Sequence, residues 1–120
     1  MADWLICKIL AKSQANAVLT KNRVNDKDDV DKIIGKYERY KNYMETFNKY
    51  KDEGFNGNVM YEGYSTDVDV ALSKATEKYK EYKNTLEALL PAFKIVEDSN
   101  SNLKGSYEQM WLITMYGLGS

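Results

Sequence analysis

Two long segments of the chain repeat large apolar or tyrosine side chains every seven residues. In residues 29–52 the repeat is formed by Val30, Ile33, Tyr37, Tyr40, Met44 and Phe47. In residues 66–98 it is formed by Val68, Leu72, Ala75, Tyr79, Tyr82, Leu86, Leu89, Phe93 and Val96. Because this spacing lays one stripe of side chains along an α-helix, it predicts two long helices that pack along their lengths.

Shorter helices are predicted at both ends, over residues 3–21 and 102–116. Thr66 and Asp69 stand at capping-box spacing at the start of the second long segment. Pro91 falls inside that segment, on the outer face of the repeat. Since the repeat resumes after the proline, we expect a kinked helix and not two separate ones.

The segment between the two long helices is rich in residues that permit sharp reversals. Residues 53–65 contain three glycines and the paired Asn56 and Asn58, which tolerate positive φ. We interpret this segment as a turn. The pattern as a whole predicts one all-α domain over residues 1–120. Its expected form is a long antiparallel helical hairpin with additional N- and C-terminal helices, bundle-like and oligomeric.

The charge and the cysteine and histidine content narrow the candidate chemistry. The 120 residues carry 17 basic and 18 acidic side chains, a net charge of −1, so no strong field draws the chain to nucleic acid or to a membrane. Cys7 is the single cysteine and there is no histidine. We interpret Cys7 as a buried free thiol, with an intermolecular Cys7–Cys7 bridge as the alternative. The residues assemble no catalytic set or metal site, and we predict a non-enzyme with no catalytic residue, metal, cofactor or small-molecule substrate.

The apolar stripe and the C-terminal tail are the candidate binding surfaces. A partner-binding seam is predicted at Tyr37, Tyr40, Met44, Phe47, Tyr79, Tyr82, Leu86, Leu89 and Phe93. The tail from Gln109 to Ser120 contains no charged side chain. Such a segment packs on its own core or docks on a partner, and we predict a docking tail formed by Trp111, Leu112, Ile113 and Tyr116.

Lysine and tyrosine alternate within both long segments. Tyrosines flanked by lysines can stack on the bases of single-stranded nucleic acid. Most of these tyrosines lie on the core stripe, however, and only Tyr43 and Tyr50 lie off it. A packed seam with solvated flanks is the favoured interpretation, and nucleic-acid binding stays a weaker alternative.

The run Tyr61-Glu62-Gly63 between two long helical segments resembles the Trp-x-Gly (WXG) proteins, the small ESAT-like substrates of type VII secretion systems. The resemblance implies a helical hairpin that dimerises into a four-helix bundle. Tyr61 would stand for the motif tryptophan, and Gly63 would permit the bend. No tyrosine is followed four residues later by an acid, so the export signal of the family is missing. The resemblance therefore implies a chain that escorts or dimerises with a protein that has the signal, as targeting factors do for LXG-type toxins.

These observations lead to one functional hypothesis and two alternatives. The first is a WXG-like protein that binds a helical partner, as a type VII secretion substrate partner or targeting chaperone. The second is a self-associating structural or adaptor protein, for example from a phage, and the third is the nucleic-acid binder. The sequence shows no signal peptide and no stretch of about 20 apolar residues. We expect a cytoplasmic protein without a transmembrane segment, or one exported without a cleavable signal peptide.

Overall fold

The computed structural model describes the backbone of residues 2–118 and the side chains of residues 11–114. Over these residues the elements follow the order α1 (Ala2–Lys21), α2 (Lys27–Asp52), β1 (Asn58–Tyr61), β2 (Tyr64–Asp67), α3 (Val68–Val96), a 3₁₀ turn (Glu97–Ser99) and α4 (Ser106–Leu118). The predictions for the Cys7 thiol and for the Tyr116 side chain lie outside the described side chains.

The chain divides into two compact units. We name Met1–Ile34 with Asn84–Ser120 the terminal unit, and Gly35–Lys83 the central unit. Both α2 and α3 begin in one unit and end in the other.

The terminal unit has an apolar interior of mainly aliphatic side chains. Its buried members are Ala15, Leu19, Val24, Val30, Ile34, Leu86, Leu89, Ala92, Phe93, Val96, Leu103 and Met110. Each large side chain among them contributes roughly 1.5–3 kcal/mol by leaving water. α3 continues through Pro91, which is exposed.

Carboxylates satisfy the free backbone N–H groups at three helix starts. At α2, the Asp26 carboxylate accepts from the Asp29 N–H at 3.1 Å, and the Asp29 carboxylate accepts from the Asp26 N–H at 3.3 Å. This reciprocal pair is a capping box that also suits the positive end of the helix. At α4, the Glu97 carboxylate accepts from the Tyr107 N–H at 2.7 Å.

The cap of α3 lies one residue later than the predicted capping box. Thr66 is paired with Val59 in the sheet, so its hydroxyl is not at the cap position. The Asp67 carboxylate instead accepts from the Asp69 N–H at 2.8 Å. A helix that follows a strand directly therefore takes its cap from the last strand residue.

The prediction of an all-α fold is wrong, because the segment between the long helices contains an antiparallel sheet. β1 and β2 pair in the register Asn58↔Asp67, Val59↔Thr66, Met60↔Ser65 and Tyr61↔Tyr64. The strands are joined by a two-residue turn, Glu62-Gly63, with φ of 53° and 83°. Positive φ at both central residues defines the turn type whose twist suits a tight β-hairpin. Residues 53–65 are thus a folded element and not a simple helical turn.

The sheet covers the central unit with one of its faces. Along β1, Tyr61 is buried and Val59 half-buried, whereas Asn58 and Met60 are exposed, as the two-residue period of a strand requires. The core cluster beneath consists of Phe47, Tyr61, Val68, Ala71 and Ala75, with Tyr40, Tyr43, Met44, Val59 and Leu72 packed against it. The hairpin is therefore part of the core of this unit.

Candidate functional site

An open groove in the central unit runs between α2 and β1. Its volume is about 1110 Å³. One wall is the outer face of α2 and the residue after it, where side chains recur at helical spacing, and the other wall is the hairpin segment. The lining residues are Gly35, Glu38, Arg39, Asn42, Tyr43, Thr46, Phe47, Tyr50, Glu53, Phe55, Asn58, Val59 and Met60. At 1.5 Å per residue, the α2 wall from Gly35 to Glu53 is about 27 Å long.

The rim of the groove exposes large apolar side chains. Tyr50 is 39% exposed, Phe55 41% and Met60 62%. The Tyr50 and Phe55 rings meet edge to face, with their centroids 5.8 Å apart. The Phe55 ring also lies over Gly57, where an added Cβ would come within 2.9 Å of it. The absence of a side chain at Gly57 thus leaves room for the Phe55 ring.

A cluster of polar side chains holds the hairpin turn against α2. The Glu62 carboxylate pairs with the Arg39 guanidinium, and the Glu62 N–H donates to the Tyr43 hydroxyl at 3.4 Å. A hydrogen bond with Glu62, together with burial, raises the pKa of Tyr40 above its usual range. The backbone of Glu62 has the positive φ that non-glycine residues rarely adopt. The contacts of the cluster hold Glu62 in this conformation.

The Glu62 carboxylate also affects the pKa values of its neighbours Tyr61 and Arg39. Burial and the Glu62 charge raise the pKa of Tyr61. The hydrogen bond with Tyr43 and the Glu62 charge raise the pKa of Arg39. All of these effects favour the neutral tyrosines and the charged arginine, so the cluster is suited to fixing the turn near neutral pH.

The structure places the two turn-motif residues at the tip of the β-hairpin. Tyr61 ends β1 and is 4% exposed. Its ring lies 5.0 Å from that of Tyr43 and 5.8 Å from that of Tyr64, centroid to centroid. Gly63 is the second residue of the turn, and its φ of 83° is the reason a glycine is required. The motif is thus part of a reversal between strands.

The predicted seam residues pack within their own units. In the central unit, Tyr37 stacks on Tyr79 at 5.5 Å and Tyr40 on Tyr82 at 5.8 Å. Phe47 is buried and Met44 half-buried. In the terminal unit, three seam residues are 0% exposed: Leu86, Leu89 and Phe93. A binding surface must be accessible, so these three side chains form interior and not surface in this structure.

The predicted docking tail is only partly accessible. Trp111 is 40% exposed and Leu112 42% exposed, whereas Ile113 is half-buried. On either side of these three residues, α4 contributes the buried Met110 and Thr114 to the terminal unit. One face of this helix therefore closes its own core, while Trp111 and Leu112 lie on the other side.

Sequence reasoning missed the groove and its rim. Tyr50 lies off the predicted core stripe, but no binding role is predicted for Phe55 or Met60. The sequence does contain a signal for a β-hairpin. Glu62-Gly63 separates two four-residue segments, and each segment has aromatic or β-branched side chains at alternate positions. This signal would have placed Met60 on the outer face of a strand.

The described residues contain no group of three or more Asp, Glu, Cys or His side chains that could hold a metal ion. Across the same part of the chain, none of the helices is both long and apolar enough to cross a membrane. No protein-family model, curated protein or solved structure matches the chain.

Proposed function

We propose that this chain is a non-enzymatic protein-binding protein and that the groove between α2 and β1 is its binding surface. The observation that carries the proposal is the exposed rim of Tyr50, Phe55 and Met60 around an open groove of about 1110 Å³. Clustered apolar side chains at a concave surface are typical of protein-interaction sites, and aromatic residues with methionine are enriched there.

The groove replaces the seam as the surface that a partner would contact. Binding through Leu86, Leu89 and Phe93 would require the terminal unit to open, because these side chains are fully buried. Binding through the groove exposes nothing new, since its rim is already in contact with water. A surface that needs no rearrangement has the lower cost of association.

The resemblance to WXG proteins adds a proposed setting, that of a partner or targeting chaperone for a type VII secretion substrate. It is supported by Tyr61-Glu62-Gly63 and by the two long helices that flank the hairpin. In this setting the partner is a protein encoded beside the chain. Co-expression with that neighbour and co-purification from fresh lysate test the setting separately from the groove.

The charges of the groove favour a protein partner over nucleic acid. Tyr43 and Tyr50, the two tyrosines off the core stripe, do line the groove. However, Glu38 and Glu53 line it as well, and Arg39 is already paired with Glu62. Phosphate groups would be repelled by these two carboxylates.

The binding test uses single substitutions on and off the rim. Tyr50→Ser and Met60→Ser remove apolar surface from the groove, whereas Val70→Ser removes it from an exposed position of α3 (43% exposed) outside the groove. We expect proteins captured by the wild-type chain to be lost with both rim variants and retained with Val70→Ser. Equal capture by all three variants would refute the groove as the binding surface.

A further inference from the structure

We infer that the groove binds an extended segment of another protein, which pairs with the free edge of β1 and carries basic side chains. This inference rests on the proposed function. It names the occupant: a β-strand of lysine- or arginine-containing sequence and not a helix.

The alternation of hydrogen-bonded and non-hydrogen-bonded residue pairs in the hairpin shows which backbone groups are free. In a two-residue hairpin, the residues that flank the turn exchange both of their backbone hydrogen bonds, and bonded and non-bonded pairs then alternate. Tyr61↔Tyr64 and Val59↔Thr66 are therefore bonded pairs. The Val68 N–H donates to the Gly57 carbonyl at 3.0 Å, which continues the same alternation.

It follows that the N–H and C=O groups of Asn58 and Met60 point away from β2. Both residues line the groove. β1 thus presents a row of backbone donors and acceptors to this side, as the edge of any open sheet does.

The edge of β1 lacks the features that protect natural sheet edges. Lysine, proline and bulges are the usual protections, but β1 reads Asn58-Val59-Met60-Tyr61 and pairs residue for residue with β2. The β2 side differs, because Lys74 of α3 reaches the Tyr64 hydroxyl at 3.3 Å and lies over its ring. The open edge is therefore that of β1.

An extended segment can form hydrogen bonds with the free backbone groups of this edge, and a helix cannot. A helix uses its own backbone groups internally, so a helix packed in the groove would cover the Asn58 and Met60 groups without pairing them. A buried backbone group that is left unpaired loses its hydrogen bonds to water without replacement, which weakens binding. A strand pairs both residues and places alternate side chains toward the Phe47, Tyr50 and Phe55 rings, as in β-strand addition.

The charge of the groove indicates that the bound segment is positively charged. Glu38 and Glu53 line the groove and have no ion pair among the described residues, while Arg39 is neutralised by Glu62. The lining therefore has two available carboxylates and no available cation. Basic side chains in the segment complement this surface and speed association at low salt.

The test compares two proline substitutions at directly opposed positions of the hairpin. Met60→Pro removes an N–H from the free edge of β1, and Ser65→Pro removes the equivalent N–H from the edge of β2. Neither N–H takes part in the β1–β2 ladder, so proline is tolerated at both positions. Far-ultraviolet circular dichroism and thermal melts verify that both variants keep the fold.

The probe is a set of eight-residue peptides selected by phage display on the immobilised full chain and then synthesised with a fluorophore. We expect the peptides to be enriched in Lys and Arg, and to bind Met60→Pro at least tenfold more weakly than wild type. Ser65→Pro should stay within twofold. Equal weakening by the two prolines, or none by either, would overturn the inference.

A second measurement leaves the protein unchanged. Methylation of alternate backbone nitrogens in the selected peptide removes its strand-pairing donors, so one of the two methylation patterns should abolish binding to the wild-type chain. Persistence of binding with both patterns would argue for a helical occupant. Light scattering that finds a dimer lost in Met60→Pro would identify a second copy of the chain as the occupant, which overturns the inference as well.

These results separate this inference from the proposed function. If Tyr50→Ser and Met60→Ser abolish capture of a partner while the two prolines act alike, the groove is the binding surface but the occupant is not a strand. If neither serine variant affects capture, the proposed function itself fails.

Discussion

The two units bury their interiors in different ways, although the same pair of long helices contributes to each. The terminal unit encloses aliphatic side chains and Phe93, and its large core residues are essentially inaccessible. The central unit packs tyrosines face to face and leaves several of them half-buried. A tyrosine brings a hydroxyl that must stay wet or paired. The central unit is therefore the one that keeps polar groups and an open groove near its core.

Substitution of one leucine in each unit should give the largest difference in stability between the two interiors. Leu89→Ala removes a fully buried side chain of the terminal unit, whereas Leu72→Ala removes a half-buried one of the central unit. We expect the free energy of unfolding in urea to fall by about 3 kcal/mol for Leu89→Ala. For Leu72→Ala the loss should be about 1 kcal/mol, because less surface leaves water there. Equal losses would show that the two interiors are equally closed.

Two glycines of the central unit form the next pair. Gly63 has a φ of 83°, and Gly35 lies in α2 with nothing within 4 Å of an added Cβ. Gly63→Ala should cost about 1–2 kcal/mol, since an L side chain is strained in the left-handed region. Gly35→Ala should add about 0.5–1 kcal/mol by its higher helix propensity. Thermal melts of both variants measure the difference. A stabilising Gly63→Ala would contradict the two-residue turn.

The helical content of the chain could be predicted because its signal extends over many turns. Nine positions of the second repeat agree with one helical stripe, and chance agreement over that length is rare. The β-hairpin could not be predicted in the same way, since strands of four residues give only two alternations. The turn of the hairpin places Glu62 at an unusual φ, and the partners of its side chain, Arg39 and Tyr40, lie on α2, distant in the sequence.

The groove was missed for a related reason. It exists only because the outer face of α2 and the edge of β1 are brought together, and no single stretch of sequence contains both walls. The exposed side of α2 looks like an ordinary solvated face, with Glu38, Asn42 and Thr46 at helical spacing. A face of this kind acquires a function only when the fold places a sheet edge beside it.

The polar cluster of the central unit makes its stability depend on pH. The hydrogen bond with Glu62 and burial raise the pKa of Tyr40 in the folded chain above its ordinary value near 10. Above about pH 10 the unfolded chain loses this proton before the folded one does, so unfolding becomes more favourable as pH rises. The contribution is fully present at lower pH.

Tyr40→Phe removes the proton from both states and should give a shallower loss of melting temperature between pH 9 and pH 11 than wild type. Glu62→Gln should also give a shallower loss, because it removes the carboxylate that Tyr40 contacts. The other side chains are the same in wild type and Tyr40→Phe, so their contributions cancel in that comparison. Parallel curves for wild type and Tyr40→Phe would exclude this contact as a source of pH dependence.

The smallest expected effect tests how dry the terminal unit is, with two buried hydroxyls of α4. Ser106 is 0% exposed, and its Oγ has no hydrogen-bond partner among the described residues. Thr114 is 2% exposed and donates to the Met110 carbonyl at 2.7 Å. Ser106→Ala should leave stability unchanged or raise it by up to about 1 kcal/mol, because a buried unpaired hydroxyl is costly. Thr114→Val should lower it by about 1 kcal/mol, since a made hydrogen bond is lost with little change in shape. A destabilising Ser106→Ala would mean that water reaches this hydroxyl, and the interior of the terminal unit would then resemble that of the central unit more than its aliphatic composition indicates.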